Sequence, residues 1–126
     1  MKTTSVEGMQ QLKEATESAE KPVFVLFCGG KDPASGTSWC PDCVTAEPVI
    51  EQTLASTGKP LDGTLVVCSV GNREQWKDQS NVFRTDPFIK LTAVPTLVNW
   101  SNLSRRLVES QLFKADLIEM LLTDTD

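Results

Sequence analysis

Two cysteines separated by two residues, in the stretch Trp39-Cys40-Pro41-Asp42-Cys43, have the clearest capacity for chemistry in this sequence. They stand between an apolar run and a segment with helical spacing. A Cys-x-x-Cys pair in such a place is typical of a dithiol that cycles between two thiols and one disulfide. The motif therefore predicts thiol–disulfide redox chemistry.

The proline between the two cysteines indicates which of them reacts first. Proline is favoured at the first position of a helix, because the amide it lacks would have no partner there. With Pro41 in that position, Cys40 is the N-cap residue and its sulfur faces the free amides of Asp42 and Cys43. These amides and the positive end of the helix dipole favour a thiolate. We therefore predict that Cys40 is the attacking nucleophile and that Cys43, which lies deeper, is the resolving thiol.

The residues between the cysteines are expected to tune the pair. The carboxylate of Asp42 opposes thiolate formation nearby, although an acidic residue is also favoured in the first turn of a helix. Pro41 and Asp42 together help to set the reduction potential, since they stabilise one redox form relative to the other.

The other two cysteines, Cys28 and Cys68, lie in apolar runs and are most simply small buried side chains. With Cys40 and Cys43 they could supply four zinc ligands. Zinc sites, however, usually combine two close-spaced pairs, and this chain has one such pair. We therefore predict no metal site. A framework of structural disulfides is also not expected in a chain without an export signal.

Composition excludes several classes of function. The 126 residues carry 12 Lys+Arg against 17 Asp+Glu, which disfavours nucleic acid because phosphate binding needs clustered basic residues. The absence of histidine excludes Ser-His-Asp and Cys-His catalytic arrangements. The longest apolar run, Val23–Cys28, is too short to span a bilayer, and the N-terminus lacks the apolar segment of a signal peptide. We expect one cytoplasmic domain over residues 1–126 with no membrane partner.

Hydrophobic spacing predicts that the chain begins with a helix. Thr4 and Glu7 have the spacing of a capping box, and apolar residues recur at steps of three and four from Val6 onwards. Lys21-Pro22 is expected to end this helix. Residues 23–28 follow as a strand covered on both faces, because the run is apolar without alternation.

A second helix is predicted directly after the first cysteine, over residues 41–57. Pro48 lies inside it and should kink it, and Gly58-Lys59-Pro60 is its stop signal. Val44, Glu47, Ile50 and Leu54 are expected along one side of it.

The second half of the chain predicts one more buried strand, a helix, a hairpin and a final helix. The strand is expected over residues 64–70 and the helix over 72–84. The two strands of the hairpin are expected over 96–100 and 103–109, and the final helix over 114–122. An early βαβ unit followed by a late hairpin and a terminal helix implies an α/β fold, with a mixed central sheet and helices on both faces.

A proline stands just before the predicted hairpin, in Thr92-Ala93-Val94-Pro95-Thr96. Taken alone, an X–Pro bond is cis in only about 5–6% of cases in folded proteins. A proline at the start of a strand is equally consistent with a trans bond.

Several stretches in this order match one known family. They are Lys31-Asp32, Ser38-Trp39-Cys40-Pro41-Asp42-Cys43, Ala46-Glu47-Pro48-Val49, Trp76-Lys77-Asp78, Phe83-Arg84 and Thr92-Ala93-Val94-Pro95-Thr96-Leu97. The chain resembles the thioredoxin fold, and within it the family of thioredoxin-related proteins of 14 kDa, whose motif is Trp-Cys-Pro-Asp-Cys. The resemblance extends over essentially the whole chain.

This resemblance implies a cytosolic disulfide reductase that receives electrons from NADPH through thioredoxin reductase and holds no bound cofactor. It assigns Cys40 as nucleophile, Cys43 as resolving thiol, and Pro41 and Asp42 as residues that tune the potential. It also implies that Pro95 is a cis proline facing the disulfide, that the Val94 backbone pairs with bound substrate, and that Trp39 is a partly exposed flank of the site.

Two features depart from ordinary thioredoxins. Gly29 to Trp39 form a loop of 11 residues, whereas a βα connection usually has about two to six. Long loops at a site usually restrict what can approach it. We therefore predict a narrow range of substrates, such as cystine and other small disulfides or selected proteins.

The second departure concerns an acid. The strand of residues 24–27 lacks the buried aspartate that in thioredoxins helps to handle the proton of the resolving thiol. Asp42 or the pair Lys31-Asp32 could replace it, although such a pair is also an ordinary solvated group of loop charges.

Two other functions fit the same motif. A glutaredoxin-type enzyme that uses glutathione also has Cys-Pro-x-Cys, but its Gly-Gly turn after the proline strand is absent from Asn99-Trp100-Ser101-Asn102-Leu103. In a redox-sensitive binding module, the dithiol would instead alter partner affinity without turning over a substrate.

Overall fold

A five-stranded mixed sheet forms the centre of the molecule in the computed structural model, which describes residues 1–56 and 62–123. The order across the sheet is β1-β3-β2-β4-β5. Strands β1 and β2 both pair with β3 in parallel, whereas β4 is antiparallel to β2 and β5 is antiparallel to β4. The strands are β1 (Lys2–Glu7), β2 (Val23–Cys28), β3 (Thr64–Ser69), β4 (Thr96–Asn99) and β5 (Asn102–Val108).

Helices cover both faces of this sheet, as the sequence predicts. Helix α1 packs on β1 and β3, while α2 and α5 pack together with a short 3-10 helix on the other face. The helices are α1 (Gly8–Ser18), α2 (Pro41–Ser56), α3 (Arg73–Lys77), α4 (Val82–Thr85), the 3-10 helix (Glu109–Phe113) and α5 (Ala115–Thr123). Within the described residues, no helix is long and apolar enough to cross a membrane.

The first strand was not predicted, and the predicted helix start at Thr4 is wrong. Thr4 and Glu7 lie in β1, and the helix begins only at Gly8. Strand β1 is an edge strand with mostly exposed side chains, so its only strong constraint is backbone pairing with β3. Gln11 then supports the start of α1, because its Oε1 accepts the Glu7 amide at 2.9 Å.

Strand β2 has the position that its apolar sequence predicts. It lies between β3 and β4, and every one of its six side chains is buried. A strand enclosed on both faces and both edges is a rigid base for whatever follows it. The loop that leads to the Cys-x-x-Cys motif begins directly at its carboxyl end.

Helix α2 begins at Pro41, as predicted, and contains Pro48. The row of side chains predicted along one side is not the buried side, since Val44 is 42% exposed and Glu47 is only partly buried. A second row with helical spacing, which starts one residue earlier at Cys43, faces the core instead. The buried residues are Cys43, Ala46, Ile50 and Thr53. The predicted end at Thr57 and the stop signal over 58–60 lie outside the described residues.

The helix predicted over 72–84 is two short helices. Asn72 caps α3, its side chain accepting the Gln75 amide at 2.8 Å, and Asn81 caps α4 by accepting the Phe83 amide at 3.0 Å. Between them, the Asp78 carboxylate accepts bonds from Ser80 and turns the chain. A second N-cap asparagine inside one predicted helix was the signal for this break.

The predicted hairpin and terminal helix are both present. Strands β4 and β5 pair antiparallel, and α5 covers the segment predicted over 114–122. The 3-10 helix between them was not predicted. It begins at Glu109, whose φ of 53° lies in the left-handed region.

Candidate functional site

The two cysteines of the motif lie at the start of α2, after the loop that follows β2. Pro41 is the first residue of α2, and Cys40 precedes it, with its carbonyl accepting the Val44 amide at 3.1 Å. The Cys43 amide donates to Cys40 Sγ at 3.2 Å. Cys40 therefore has the N-cap position that the sequence predicts, and its sulfur accepts a first-turn amide that has no carbonyl partner within the helix.

The two sulfurs differ in access to solvent. Cys40 is 5% exposed and Cys43 is fully buried. All four cysteines of the chain are free thiols in this structure. Of the pair, Cys40 is therefore the thiol that a substrate disulfide can reach first.

Burial controls the protonation of Cys40. It raises the pKa of this thiol to about 12, assisted by the hydrogen bond with the Cys43 side chain, while the Cys43 amide lowers it. Asp42 adds a smaller rise, in the direction that its charge predicts. The Cys43 amide thus acts in the direction expected at a helix start, but burial outweighs it in this reduced form and holds the pKa of Cys40 above its ordinary value.

A third cysteine lies against the pair. Interaction with the Cys28 thiol, followed by burial, raises the pKa of Cys43 well above its ordinary value. The Gly29 amide donates to Cys43 Sγ at 3.4 Å. Cys28 was interpreted from the sequence as a small buried apolar residue. Its place as the last residue of a central parallel strand was the available signal, because ligand and catalytic sites of α/β sheets form at that edge.

The peptide bond between Val94 and Pro95 is cis, which the resemblance to thioredoxins implies. It faces the dithiol, because the Cys40 thiol donates to the Val94 carbonyl at 3.6 Å. Thr96 fixes this turn through its hydroxyl, which donates to the Ala93 carbonyl at 2.7 Å. The segment before β4 thus forms one wall of the site.

Trp39 forms a half-buried flank beside Cys40. Its indole Nε1 donates to the Gly71 carbonyl at 2.9 Å. The Arg73 guanidinium lies 5.7 Å from the centre of the Trp39 ring and donates to the Trp39 carbonyl at 3.2 Å. Arg73 was not singled out from the sequence, because it is far from the motif along the chain. The other two tryptophans have packing roles, since Trp76 is buried and Trp100 packs against the core.

Ser38 and Gly29 fix the approach of the loop to the dithiol. The Ser38 hydroxyl donates to the Gly29 carbonyl at 2.8 Å and accepts the Cys40 amide at 3.1 Å. A Cβ on Gly29 would lie 2.6 Å from the Trp39 ring and 3.0 Å from the Cys40 Cβ. Only glycine allows the chain leaving β2 to pass this closely beneath the site.

The long loop is folded on itself. Lys31 and Ser38 form an antiparallel bridge, and the Asp32 carboxylate accepts the Ala34 amide at 2.9 Å. Both Lys31 and Asp32 are exposed. The suggestion that this pair replaces the missing buried acid is therefore wrong, since Asp32 serves its own loop.

A groove of about 950 Å³ runs between this loop and the segment from β3 to α4. It is lined by charged and small residues and reaches the Trp39 flank. Representative lining residues are Lys31, Asp32, Trp39, Gly71 and Arg73.

The four-cysteine zinc site considered from the sequence does not form. In the β2–β3 register, Cys68 pairs with Phe27 and Cys28 pairs with Ser69, so the two cysteines are one step apart and point to opposite faces of the sheet. Burial raises the pKa of Cys68 to about 12, while the Gly8 backbone at the start of α1 lowers it. Across residues 1–56 and 62–123, no three His, Cys, Asp or Glu side chains are grouped so as to hold a metal ion.

Comparison with known proteins gives a consistent assignment. Residues 2–124 match the family described as thioredoxin domain-containing protein 17-like, thioredoxin domain. The chain is 41% identical over 121 residues to thioredoxin domain-containing protein 17 from Epinephelus coioides and from Homo sapiens, covering 95% of this chain and 94% of each relative. It is 40% identical to the thioredoxin-like protein Clot of Arabidopsis thaliana, covering 95% of this chain and 90% of that protein.

A solved structure supports the fold. The reduced thioredoxin pre-protein of Schistosoma mansoni superposes with a TM-score of 0.54, covering 96% of this chain and 99% of that one. At 16% identity, this likeness shows the thioredoxin fold and no finer property.

Proposed function

Since this chain belongs to the thioredoxin domain-containing protein 17-like thioredoxin family, we propose that it is a cytoplasmic disulfide reductase with Cys40 and Cys43 as its dithiol. Family membership supports thioredoxin-type redox function in general. The observation that carries the finer proposal is the position of Cys40 Sγ, which lies at the start of α2 and 3.6 Å from the carbonyl before the cis proline.

The proposed reaction is a two-step exchange. The Cys40 thiolate attacks one sulfur of a substrate disulfide, forms a mixed disulfide and releases the other substrate sulfur, which takes up a proton. Cys43 then gives up its proton and attacks Cys40, which releases the second substrate sulfur as a thiol. The substrate gains two electrons, and the protein is left with a Cys40–Cys43 disulfide. Thioredoxin reductase, supplied by NADPH, returns the pair to thiols, so no bound cofactor is needed.

The walls of the site suggest how substrate is held. Val94 presents backbone next to Cys40, and we propose that it pairs with the extended chain of a bound disulfide. We propose that Pro95, which follows Val94 across the cis bond, and Trp39, which precedes Cys40, also contact the bound substrate. Pro41 and Asp42 lie between the cysteines and tune the potential, since Asp42 contributes to the raised pKa of Cys40.

A narrow substrate range is supported by the long loop. Its internal bridge and the contacts of Trp39 with Gly71 and Arg73 give the loop a defined shape beside the dithiol. Small disulfides such as cystine, or a few proteins that fit the adjoining groove, are the proposed substrates.

The test is NADPH consumption by purified thioredoxin reductase, this protein and cystine. We expect consumption that disappears in Cys40→Ser and persists in Cys68→Ser, which also replaces a buried cysteine but on the opposite face of the sheet. Activity only with glutathione and its reductase would assign a glutaredoxin-type enzyme instead. No activity in either system would favour a redox-sensitive binding module.

A further inference from the structure

Cys28 is a reactive group beside the dithiol that the proposed cycle does not use. It ends β2, is 3% exposed, and its thiol interacts with that of Cys43, whose Sγ accepts the amide of the next residue, Gly29, at 3.4 Å. On its other side, Cys43 donates its amide to Cys40 Sγ at 3.2 Å. Cys43 therefore interacts with two cysteines, with Cys40 through its amide and with Cys28 through its thiol.

The position of Cys28 is fixed by its surroundings. It belongs to the central strand, which is paired on both edges. The next residue, Gly29, lies against Trp39 and Cys40 and donates its amide to Cys43 Sγ at 3.4 Å. The backbone that carries Cys28 is thus fixed by strand pairing on both sides and by the contacts of the next residue.

We propose that Cys28 is a third redox-active thiol, which replaces Cys40 as the disulfide partner of Cys43. The proposal rests on the reductase cycle, because that cycle supplies the Cys40–Cys43 disulfide. The Cys28 sulfur attacks the Cys43 sulfur, and the Cys40–Cys43 bond breaks as the Cys28–Cys43 bond forms. The proton of Cys28 ends on Cys40, so no electrons enter or leave the protein.

The exchange needs a movement of the side chains. An S–S bond is about 2.0 Å long, so the two sulfurs must approach each other to form it. Cys28 lines a cavity of about 430 Å³ between the sheet and α2, together with Leu26 and Ile50. The Cys28 side chain is therefore not held by close packing on every side.

The exchanged form would differ in chemistry from the ordinary oxidised form. Cys40 would again be a free thiol, while Cys43 would be held in a buried disulfide. Such a protein forms mixed disulfides through Cys40 but has no resolving thiol to release them. The exchange should be slow, because the attacking thiol is buried and has limited freedom to approach its target.

The sequence allows a direct map of the disulfides. Cleavage before aspartate places each cysteine in its own peptide, because Asp42 lies between Cys40 and Cys43. Cys28, Cys40, Cys43 and Cys68 fall in peptides 1–31, 32–41, 42–61 and 62–77. Full-length protein is oxidised with oxidised glutathione, freed of it, incubated, blocked with N-ethylmaleimide at intervals, cleaved and analysed by mass spectrometry.

We expect a link between 1–31 and 42–61 to grow with time while the link between 32–41 and 42–61 declines. The new link should be lost in Cys28→Ala and retained in Cys68→Ala, its matched control. The proposal is overturned if the Cys40 peptide 32–41 remains the partner of the Cys43 peptide 42–61 at all times. It is also overturned if the Cys68 peptide 62–77 becomes linked to 42–61 equally often. If the link between the Cys40 and Cys43 peptides is absent at the first time point, the reductase cycle is contradicted and this proposal with it. If that link forms and then persists in Cys28→Ala, the reductase cycle stands on its own.

Discussion

The backbone amide of Cys43 donates to the sulfur of Cys40 at 3.2 Å, so the second cysteine of the motif stabilises the first before any disulfide forms. The same geometry places the Cys43 side chain behind Cys40 and away from solvent. One turn of helix therefore provides both an accessible sulfur and a protected one.

Replacement of the inner cysteine should separate the two steps of the exchange. In Cys43→Ser, Cys40 can still attack cystine but nothing attacks the mixed disulfide, so we expect a stable cysteine adduct and loss of turnover. Intact-mass spectrometry measures the adduct, and cleavage before aspartate locates it in peptide 32–41. Cys68→Ser should turn over normally. Full turnover by Cys43→Ser would show that Cys43 is not the resolving thiol.

The pH dependence of Cys40 alkylation tests the effect of burial. Because its pKa is raised to about 12 from an ordinary value of 9.0, the thiolate fraction should still be rising throughout the range from pH 7 to 9. The rate of reaction with iodoacetamide should increase roughly tenfold per pH unit there. A plateau below pH 8 would instead show that the helix amides dominate and that Cys40 is a thiolate near neutrality.

Neutralisation of Asp42 should make Cys40 more reactive. Asp42 raises the Cys40 pKa through its charge, as the last of several causes, so we expect Asp42→Asn to speed alkylation by about two- to threefold at pH 7. Asp32→Asn is the matched control, since that carboxylate lies in the exposed loop and accepts the Ala34 amide. Equal effects of the two substitutions would indicate general charge and not a local contact.

Loss of Arg73 should weaken the Trp39 flank. Its contacts with the Trp39 ring and carbonyl are together expected to be worth about 1 kcal/mol, so Arg73→Ala should lower kcat/KM for cystine by several-fold. Arg84→Ala is a close control, because Arg84 lies 3.7 Å from the Trp76 ring centre and donates to the Trp76 carbonyl away from the dithiol. We expect that control to lower Tm while leaving kcat/KM unchanged.

A methyl group at Gly29 should displace the Trp39 ring and the backbone beside Cys40. The added Cβ of Gly29→Ala would meet Trp39 at 2.6 Å, and we expect the free energy of unfolding to fall by about 1–3 kcal/mol. Gly36→Ala has open space within 4 Å and a φ of +71°, so it should cost only the backbone strain of about 1–2 kcal/mol. Chemical denaturation measures both, and only Gly29→Ala should also change Cys40 alkylation.

Local sequence determined much of this protein. The apolar run of β2, the proline at the start of α2 and the turn between β4 and β5 each act over a few residues, and each element is present as predicted. The Cys-x-x-Cys motif likewise positions Cys40 as an N-cap without help from distant residues. These features depend on backbone preferences and short-range hydrogen bonds, which a sequence displays directly.

Other features were decided by contacts between distant segments. Strand β1 exists because β3 offers an edge to pair with, and its polar side chains gave no periodic signal. The pKa of Cys40 depends on burial by the whole fold, which opposes the effect of the helix amide. The contact between Cys28 and Cys43 joins a strand end to a helix start across a folded loop. Burial and contacts across long sequence separations arise only when the core closes, so they belong to the tertiary structure.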